Sequence, residues 1–507
     1  MSNLIQLQDT IGSDHAFTTC VQFAPVFTFT AGSFVIGEDD KTGRKYFMQV
    51  AAPQLNLNRS ALGATEMSTL DAMQRVNDGR ITRDVVINEV GLYQLKLIAD
   101  VTDGYPKSVR IRPQTATVAR LATQDEMTRY IGLPEAKEEY LIGHITDSDI
   151  GVAVSRRVMR HHILVAGSTG SGKSNTANNL IHASEEMGAC TFVFDHKPDY
   201  QNLSEPNDEA PGGRGLKKVT NYKLGKRGGK RSSNDIFVGA SELDPGLLAR
   251  TIFHLQGEQM QADTATDLFY KFSEYRSSIG EDAWSIQDFL LWVSSKEAAE
   301  ITKDIQKNNL TATVRKIGRP RRIPEWIDGP TKRGMGSSAV NLKTIIKPGA
   351  VNVILIDGAG RDYGLFLSWF LGMVATWQRA EDKKVPIHHL IDEAQDIFNA
   401  GREMASAVGG KLEEQIRKGR SLNISFTICV QSAEAVPEGI RNNLNSQLIH
   451  RHNNYRQAKD SITRATEEQV RMTDSFGPGE CLANIFGTNA VIHCQMRRAI
   501  SNLTKEA

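Results

Sequence analysis

The chain has 507 residues, 23% of them charged, with 60 basic side chains against 59 acidic ones and a net charge of +1. That length exceeds one ordinary core, so two or three domains are expected, and the near-neutral balance excludes a chain that coats nucleic acid over its whole surface. Five widely spaced cysteines (Cys20, Cys190, Cys429, Cys481 and Cys494) contain no C-x-x-C pair, so they signal neither a zinc site nor a disulfide framework and fit a reducing, cytoplasmic setting.

The N-terminus, with Asn3, Gln6, Gln8 and Asp9, shows no basic-then-apolar signal region. Phe17 to Ile36 is rich in Phe, Val and Thr, and Tyr46 to Ala51 and Leu92 to Ala99 are further strand candidates. Strands of this kind between Gly, Pro, Asn and Asp turns predict a small antiparallel barrel or sandwich over residues 1–140. The polar connector Pro134 to Glu139 closes it.

Ile163 to Ala166 then forms an apolar strand, followed by Gly167-Ser168-Thr169-Gly170-Ser171-Gly172-Lys173-Ser174 and a helical pattern from Asn175 to Met187 with Gly188 as its stop. This fits G-x-x-x-x-G-K-[ST], in which glycine backbone N–H groups curl round a polyphosphate, the lysine reaches the β/γ-phosphates and the hydroxyl coordinates Mg²⁺. The order strand, loop, helix puts phosphates on a helix N-terminus, where the dipole favours anions. Gly167, Gly170, Ser171, Gly172, Lys173, Ser174 and Asn175 are the expected nucleotide-binding set, with ATP and Mg²⁺ as cofactors.

Thr191 to Phe194 is the next buried strand and ends in Asp195-His196-Lys197-Pro198-Asp199-Tyr200. Asp195 and Asp199 are either near the nucleotide or ordinary loop acids. Between Gly212 and Ser233, eight lysines and arginines are interleaved with glycine and no acid. This predicts a flexible cationic loop that either tracks DNA phosphates or is a solvated insertion. Apolar residues at helical spacing from Leu247 to Val293 predict a run of helices reaching about Val314, with a basic tail from Arg315 to Arg322.

Val351 to Ile356 resumes the α/β pattern, and the apolar helix from Leu365 to Trp377 is too short to span a bilayer. Ile387 to Ile391 is a strand capped by Asp392-Glu393: Asp392 suits Mg²⁺, and Glu393 suits orienting or deprotonating the attacking water. Of His388 and His389 in that strand, one is expected to face the core and neither is assigned a metal. Leu412 to Arg420 reads as a helix end, where cations complement the dipole; the alternative is that Arg417 or Arg420 reaches a neighbouring subunit's γ-phosphate as an arginine finger. Gln431, after the strand Ile424 to Val430, is either a γ-phosphate or water contact or simply a polar strand end.

The order of a strand-rich N-terminal domain, Ile142-Gly143-His144, Arg160-His161-His162, the P-loop, a helical segment, Ile391-Asp392-Glu393-Ala394-Gln395, Ile416-Arg417-Lys418-Gly419-Arg420 and Phe476-Gly477-Pro478-Gly479-Glu480 resembles the HerA group of HerA/FtsK-type ATPases. The resemblance implies an α/β fold: a RecA-like P-loop ATPase core with an N-terminal small β-barrel domain and a helical-bundle insertion. Its segments would be 141–240 for the first part of the core, 241–345 for the insertion and 346–507 for the second part. It also implies ATP hydrolysis coupled to translocation on double-stranded DNA by a homo-hexamer, working with a nuclease such as NurA or with a sirtuin-like or other effector, in DNA end processing or antiviral defence, and without a membrane. Residue by residue it carries over Lys173 and Ser174 for nucleotide and Mg²⁺, Asp392 and Glu393 for Mg²⁺ and water, Arg417 or Arg420 as the finger, and Arg160 as a further nucleotide contact.

The turn Asp195 to Tyr200 departs from the group's D-P-H-G-E-Y-like pattern, and Lys418 and Ser421 depart from its REGRK-like helix end. Two other readings stand beside the motor: a nucleotide-dependent ring scaffold that activates an effector with little translocation, and a secretion or conjugation ATPase, which would usually want a membrane anchor.

Overall fold

Five strands buried along nearly their whole length make up most of one parallel sheet. The computed structural model describes residues 5–8, 17–23, 30–59, 66–67, 90–113, 117–133, 140–226, 232–328, 341–356, 360–399, 402–459 and 461–504. The chain groups into two compact units, one formed by residues up to Val154 with Gln447–Met496, the other by Ser155–Ser446 with the residues from Arg497 onward. Residues 447–496, expected in the second part of the ATPase core, thus group with the N-terminal residues.

In the second unit the strands are β1 (Ile163–Ala166), β2 (Cys190–Asp195), β3 (Val219–Leu224), β4 (Asp235–Ile236), β5 (Val351–Leu355), β6 (Ile387–Ile391) and β7 (Ile424–Val430). They lie in the order β4-β3-β5-β2-β6-β7-β1, and neighbouring strands pair in parallel. All their C-terminal ends therefore share one edge. Cross-strand bonds knit the loops there: Gly167 N–H donates to Val430 O at 3.2 Å, Ala394 N–H to Cys429 O at 3.0 Å, Asp392 N–H to Phe194 O at 3.2 Å and Ile356 N–H to Asp195 O at 2.9 Å.

Strand β3 corrects the expectation of a flexible cationic loop over Gly212 to Ser233. It pairs with β5 from Val219 opposite Val351 to Lys223 opposite Leu355, because Val219, Thr220 and Tyr222 favour a pleated surface despite the lysines around them. Part of the loop's charge is also neutralised: Arg214 pairs with Glu185 and Glu186, and Lys223 lies 3.7 Å from Asp235. Arg227, Lys230 and Arg231 of that stretch lie outside the described residues, as does the connector 134–139.

Helices α1 (Lys173–Glu186), α2 (Pro245–Ile252), α3 (Gln259–Ser278), α4 (Ile286–Val293), α5 (Lys296–Ile301), α6 (Lys307–Ile317), α7 (Gly360–Ala380) and α8 (Arg402–Gly419) belong to the same unit. Helix α2 starts on Asp244, whose carboxylate accepts Leu247 N–H at 2.9 Å, with Pro245 just inside, a favoured start signal. Helix α4 carries a full capping box between Ser285 and Asp288. Phe269, Phe272, Trp284, Phe289 and Trp292 stack edge and face between α3 and α4, so this helical segment has its own apolar centre. No helix among the described residues is long and apolar enough to cross a membrane.

Both histidines of β6 are buried, not just one. His388 bonds Ser425 Oγ at 2.9 Å and Thr427 Oγ1 at 3.1 Å, while His389 lies among Phe192, Phe194, Phe370 and Phe426. A sheet covered on both faces by helices leaves neither face of the strand in water.

In the first unit the pairings run Phe34–Asp39, Thr117–Leu121, Ile5–Gln8, Phe17–Phe23, Val90–Asp100 and Lys45–Arg59, which in turn pairs with Phe34–Asp39. Val35, Tyr46, Met48, Val50, Tyr93, Leu95 and Ala119 pack as their core. A second antiparallel set orders Ser446–His450, Glu480–Asn484, Ile492–Met496, Tyr140–Ile145 and Gly151–Val154.

The basic stretch from the end of α6 onward is partly consumed by packing. Glu258, 6% exposed, accepts Lys316 Nζ and Arg322 Nη1, each at 2.8 Å. Burial alone would raise the Glu258 pKa, but these hydrogen bonds overcome it and hold the pKa near about 2, against an ordinary 4.5. A carboxyl with a depressed folded-state pKa stabilises the fold above its unfolded pKa and loses that contribution as the pH falls. Glu258→Ala should therefore lower the opening free energy of α3 and α6, followed by amide hydrogen exchange, by about 3 kcal/mol at neutral pH, as expected for breaking a buried pair. The gap to wild type should shrink as pH falls from about 4.5 towards about 2; a gap independent of pH would mean that the ion pair contributes nothing.

Candidate nucleotide-binding site

The loop between β1 and α1 turns through backbone conformations that L side chains avoid: Gly170 has φ +74° and Gly172 φ +108°. Only glycine reaches these cheaply. Helix α1 opens at Lys173 directly after the loop, so its first N–H groups face the same space. Lys173 Nζ donates to Ser168 O at 3.1 Å. Burial lowers the Lys173 pKa, with the negative charge of Glu393 and Asp392 acting against it. Ser174 Oγ donates to Asp199 Oδ2 at 3.2 Å, and Ser171 is buried with its hydroxyl unpartnered among the described residues.

Asn175 is fixed from outside the loop. Its Nδ2 donates to Arg497 O at 2.7 Å and its Oδ1 accepts Ala499 N–H at 2.5 Å. Asn179 also donates to Arg497 O, Asn178 donates to Ser501 Oγ at 2.8 Å, and His182 bonds the same hydroxyl at 3.0 Å. The side chain of Asn175 is thus committed to the segment after Met496, leaving its backbone for an anion.

Opposite the loop stand four carboxyl groups. Asp392 is 5% exposed; desolvation first, then the charges of Glu393, Asp195 and Asp199, push its pKa up to about 8. Asp195 is raised to about 7, mainly by burial, and accepts Gln201 Nε2 at 2.8 Å. Asp199 holds Ser174. Glu393 sits at φ +47°, a strained backbone for a non-glycine residue, of the kind that clusters at functional sites. Burial raises the Glu393 pKa, but Lys197, whose Nζ lies 2.8 Å from Oε1, holds it below the usual carboxylate range. Gln395 Nε2 donates to Glu393 Oε2, as does Gln431 Nε2 at 3.2 Å. Tyr363, fully buried, donates its hydroxyl to Asp392 O at 3.0 Å and braces the strand end.

The structure thus brings Lys173, Ser174, Asp392, Glu393 and Gln431 to one edge of the sheet. The arginines stand elsewhere. Arg160 is exposed at the end of the short helix Arg156–Met159. Arg417 and Arg420 are exposed at the end of α8, and neither makes an ion pair among the described residues. Arg420 Nη1 contacts His161 Nε2 at 3.1 Å. Sequence reasoning missed Lys197 and Gln395 as partners of Glu393. Lys197 lay in the turn read for its acids, and its contact spans 196 positions; Gln395 stood inside the quoted motif.

The donor set fits Mg²⁺. Ser174 Oγ and the carboxylates of Asp392 and Asp199 are hard oxygens, and Mg²⁺ bound with phosphates takes only one or two protein ligands. The crowding of acids that raises the Asp392 pKa is relieved by a cation. No cage of three or more His, Cys, Asp or Glu is present among the described residues.

Residues 140–365 match the family model described as helicase HerA, central domain. Two curated proteins called DNA double-strand break repair helicase HerA are similar. The one from Sulfolobus acidocaldarius is 27% identical over 22% of this chain and 22% of its own length, and the one from Sulfurisphaera tokodaii is 28% identical over 71% of this chain and 69% of its own. The match therefore spans only about a fifth of the first of these relatives. Among solved structures, VirB4 of Thermoanaerobacter pseudethanolicus has a TM-score of 0.52 at 14% identity, covering 72% of this chain and 97% of that one. The plasmid coupling protein TrwB in complex with ADP and Mg²⁺ has a TM-score of 0.50 at 13% identity, covering 76% and 95%. At these identities the structures speak for the α/β P-loop ATPase fold alone. With the P-loop and its facing acids in place, residues 140–365 match the HerA central domain, and the chain is similar to HerA helicases in sequence and to P-loop ATPases in fold.

Proposed function

We propose that this chain is one subunit of a homo-hexameric ring that hydrolyses ATP and moves double-stranded DNA, with a nuclease or other effector as partner. The observation that carries the reading is the juxtaposition of Lys173 and Ser174 with Asp392 and Glu393 at the C-terminal edge of a parallel sheet. In this reading the N–H groups from Gly167 to Asn175, with Ser171, hold the phosphates, and Lys173 reaches the β/γ-phosphates. Ser174 and Asp392 hold Mg²⁺, which supplies neutralisation of charge on the phosphate oxygens. Glu393 orients or deprotonates the attacking water and Gln431 contacts that water or the γ-phosphate. Arg417 or Arg420 completes a neighbour's site, with Arg160 approaching nucleotide as well. The domains of the proposal are a small β-barrel in residues 1–140, the core in 141–240 and 346–507, and a helical-bundle insertion in 241–345.

One observation favours the second reading, a ring scaffold with little translocation. Arg214 and Lys223, two of the cations proposed to face DNA, are already paired with Glu185, Glu186 and Asp235. The two readings separate when Lys217, Lys218 and Lys226 are changed together to Ala and ATP turnover is followed with and without duplex DNA. Loss of DNA stimulation supports the motor; unchanged stimulation supports the scaffold.

Lys173→Ala should abolish ATP turnover while the folded circular-dichroism spectrum is kept, since it removes a phosphate contact and no core; turnover at the wild-type rate would refute the site. Of Arg417→Ala and Arg420→Ala, one should lower kcat about a thousandfold with nucleotide affinity retained, as for arginine fingers supplied by a neighbour. Adding an Lys173→Ala subunit, which still carries the finger, should restore part of the rate. Full activity in both arginine variants would exclude a finger from this helix end.

A further inference from the structure

A carboxylate that is to polarise water needs an oxygen lone pair free for it, and in this structure those of Glu393 are occupied. Oε1 accepts Lys197 Nζ at 2.8 Å and lies 3.4 Å from Gln431 Nε2; Oε2 accepts Gln395 Nε2 and, at 3.2 Å, Gln431 Nε2. Gln395 and Gln431 are neutral amides, Gln395 buried beside Glu393. Lys197 differs in kind. It is charged, its side chain is 42% exposed against 9% for Glu393, and it stands on the turn after β2, in an element separate from the strand that carries the acid.

The surroundings of Lys197 are set to let it move. Besides Glu393, the charged groups acting on it are Asp392 and Asp199, and its own positive charge acts on Lys173 of the P-loop. Two ammonium groups thus share one acid cluster within reach of the loop that cradles phosphates. A phosphate oxyanion arriving there competes with Glu393 for the Lys197 ammonium, which is half-exposed and can exchange one anionic partner for another without leaving its turn.

Resting on the ATPase reading above, we infer that Lys197 is a positioning residue that holds the Glu393 carboxylate away from the attacking water, and that a phosphate oxyanion, from the nucleotide or from a DNA backbone, frees Glu393 by drawing the Lys197 ammonium to itself. Pairing Lys197 with Glu393 then limits hydrolysis until a phosphate is in place. The sequence turn Asp195 to Tyr200 acquires through Lys197 a function that its acids alone do not describe.

The test measures steady-state ATP hydrolysis over a range of ATP concentrations for wild type, Lys197→Met and Lys197→Arg, each with and without duplex DNA. Lys197→Met keeps the stem and removes the charge, so DNA-independent kcat should rise about three- to fivefold with KM little changed, the rate equivalent of a half-exposed ion pair. Lys197→Arg should restore the low wild-type rate. If DNA phosphate is the natural competitor, Lys197→Met should lose DNA stimulation; if the γ-phosphate is, the fold stimulation by DNA should stay as in wild type. A fall in kcat for Lys197→Met would overturn the inference, because the ammonium would then be acting on the phosphate in the transition state, and an unchanged kcat would make the pair inert. Wild-type protein that neither hydrolyses ATP nor retains it in equilibrium dialysis would instead refute the ATPase reading, leaving the two failures distinguishable.

Discussion

Four carboxyl groups and two ammonium groups crowd one edge of a parallel sheet, and the chemistry of the protein depends on how that charge is balanced. Parallel strands make the crowding unavoidable: β2 ends at Asp195, β6 ends before Asp392 and Glu393, and the P-loop follows β1, so each strand delivers its polar cap to the same place. The acids then respond differently to shared burial. Asp392, desolvated and faced by three other acids, is pushed up to about 8, whereas Glu393, paired with Lys197, is held below the usual range. Neighbouring carboxyls driven apart in this way are suited to separate tasks, one to receive a cation and the other to stay ionised. A magnesium-bound triphosphate, as proposed for this site, would bring a cation to the first and an anion to the ammonium groups, and so offset the imbalance on both sides.

The edge is rigid where it needs to be. Glu393 keeps its left-handed backbone because the residues on either side of it are tied down: Ala394 N–H reaches across to Cys429 O and Tyr363 OH bonds Asp392 O. On the far side of the P-loop, α1 presents Asn175, Asn178, Asn179 and His182 along one face, and each makes a hydrogen bond to the segment Arg497–Ser501. Buried amides cost free energy unless bonded, so this polar seam fixes the direction of α1 and of the N–H groups at its start. Lys197 stands outside both braces, which is why it can be the moving part.

Much of this was legible in the sequence, and the reason is locality. The P-loop is a contiguous string whose glycines, lysine and serine act through their own backbone turn. Asp392 and Glu393 cap an apolar run of strand length, and Phe269, Phe272 and Phe289 repeat at helical spacing, so local pattern and tertiary role agree. What stayed hidden depends on distance or on masking. The Lys197–Glu393 and Ser174–Asp199 contacts join different elements, and the seam between α1 and Ser501 spans more than three hundred positions. Strand β3 was disguised by lysines that pattern reading weighs as loop, and two cations of the basic tail, Lys316 and Arg322, serve a buried glutamate. The grouping of residues 447–496 with the N-terminal residues is likewise a matter of topology and not of local pattern.

The candidate finger is also coupled to the P-loop strand by a route that sequence order obscures. His161 and His162 form the turn immediately before β1. The Nδ1 of His161 faces Arg157 O at 2.8 Å, an acceptor only, so that nitrogen carries the proton and Nε2 offers its lone pair to Arg420 at 3.1 Å. His162, buried at φ +61° with its pKa pushed down to about 4 by burial, accepts Phe426 N–H of β7 at 3.1 Å, and a Cβ on Gly419 would lie 3.3 Å from its ring. One turn therefore fixes both the entry of the strand that carries the phosphate loop and the helix end that carries Arg417 and Arg420.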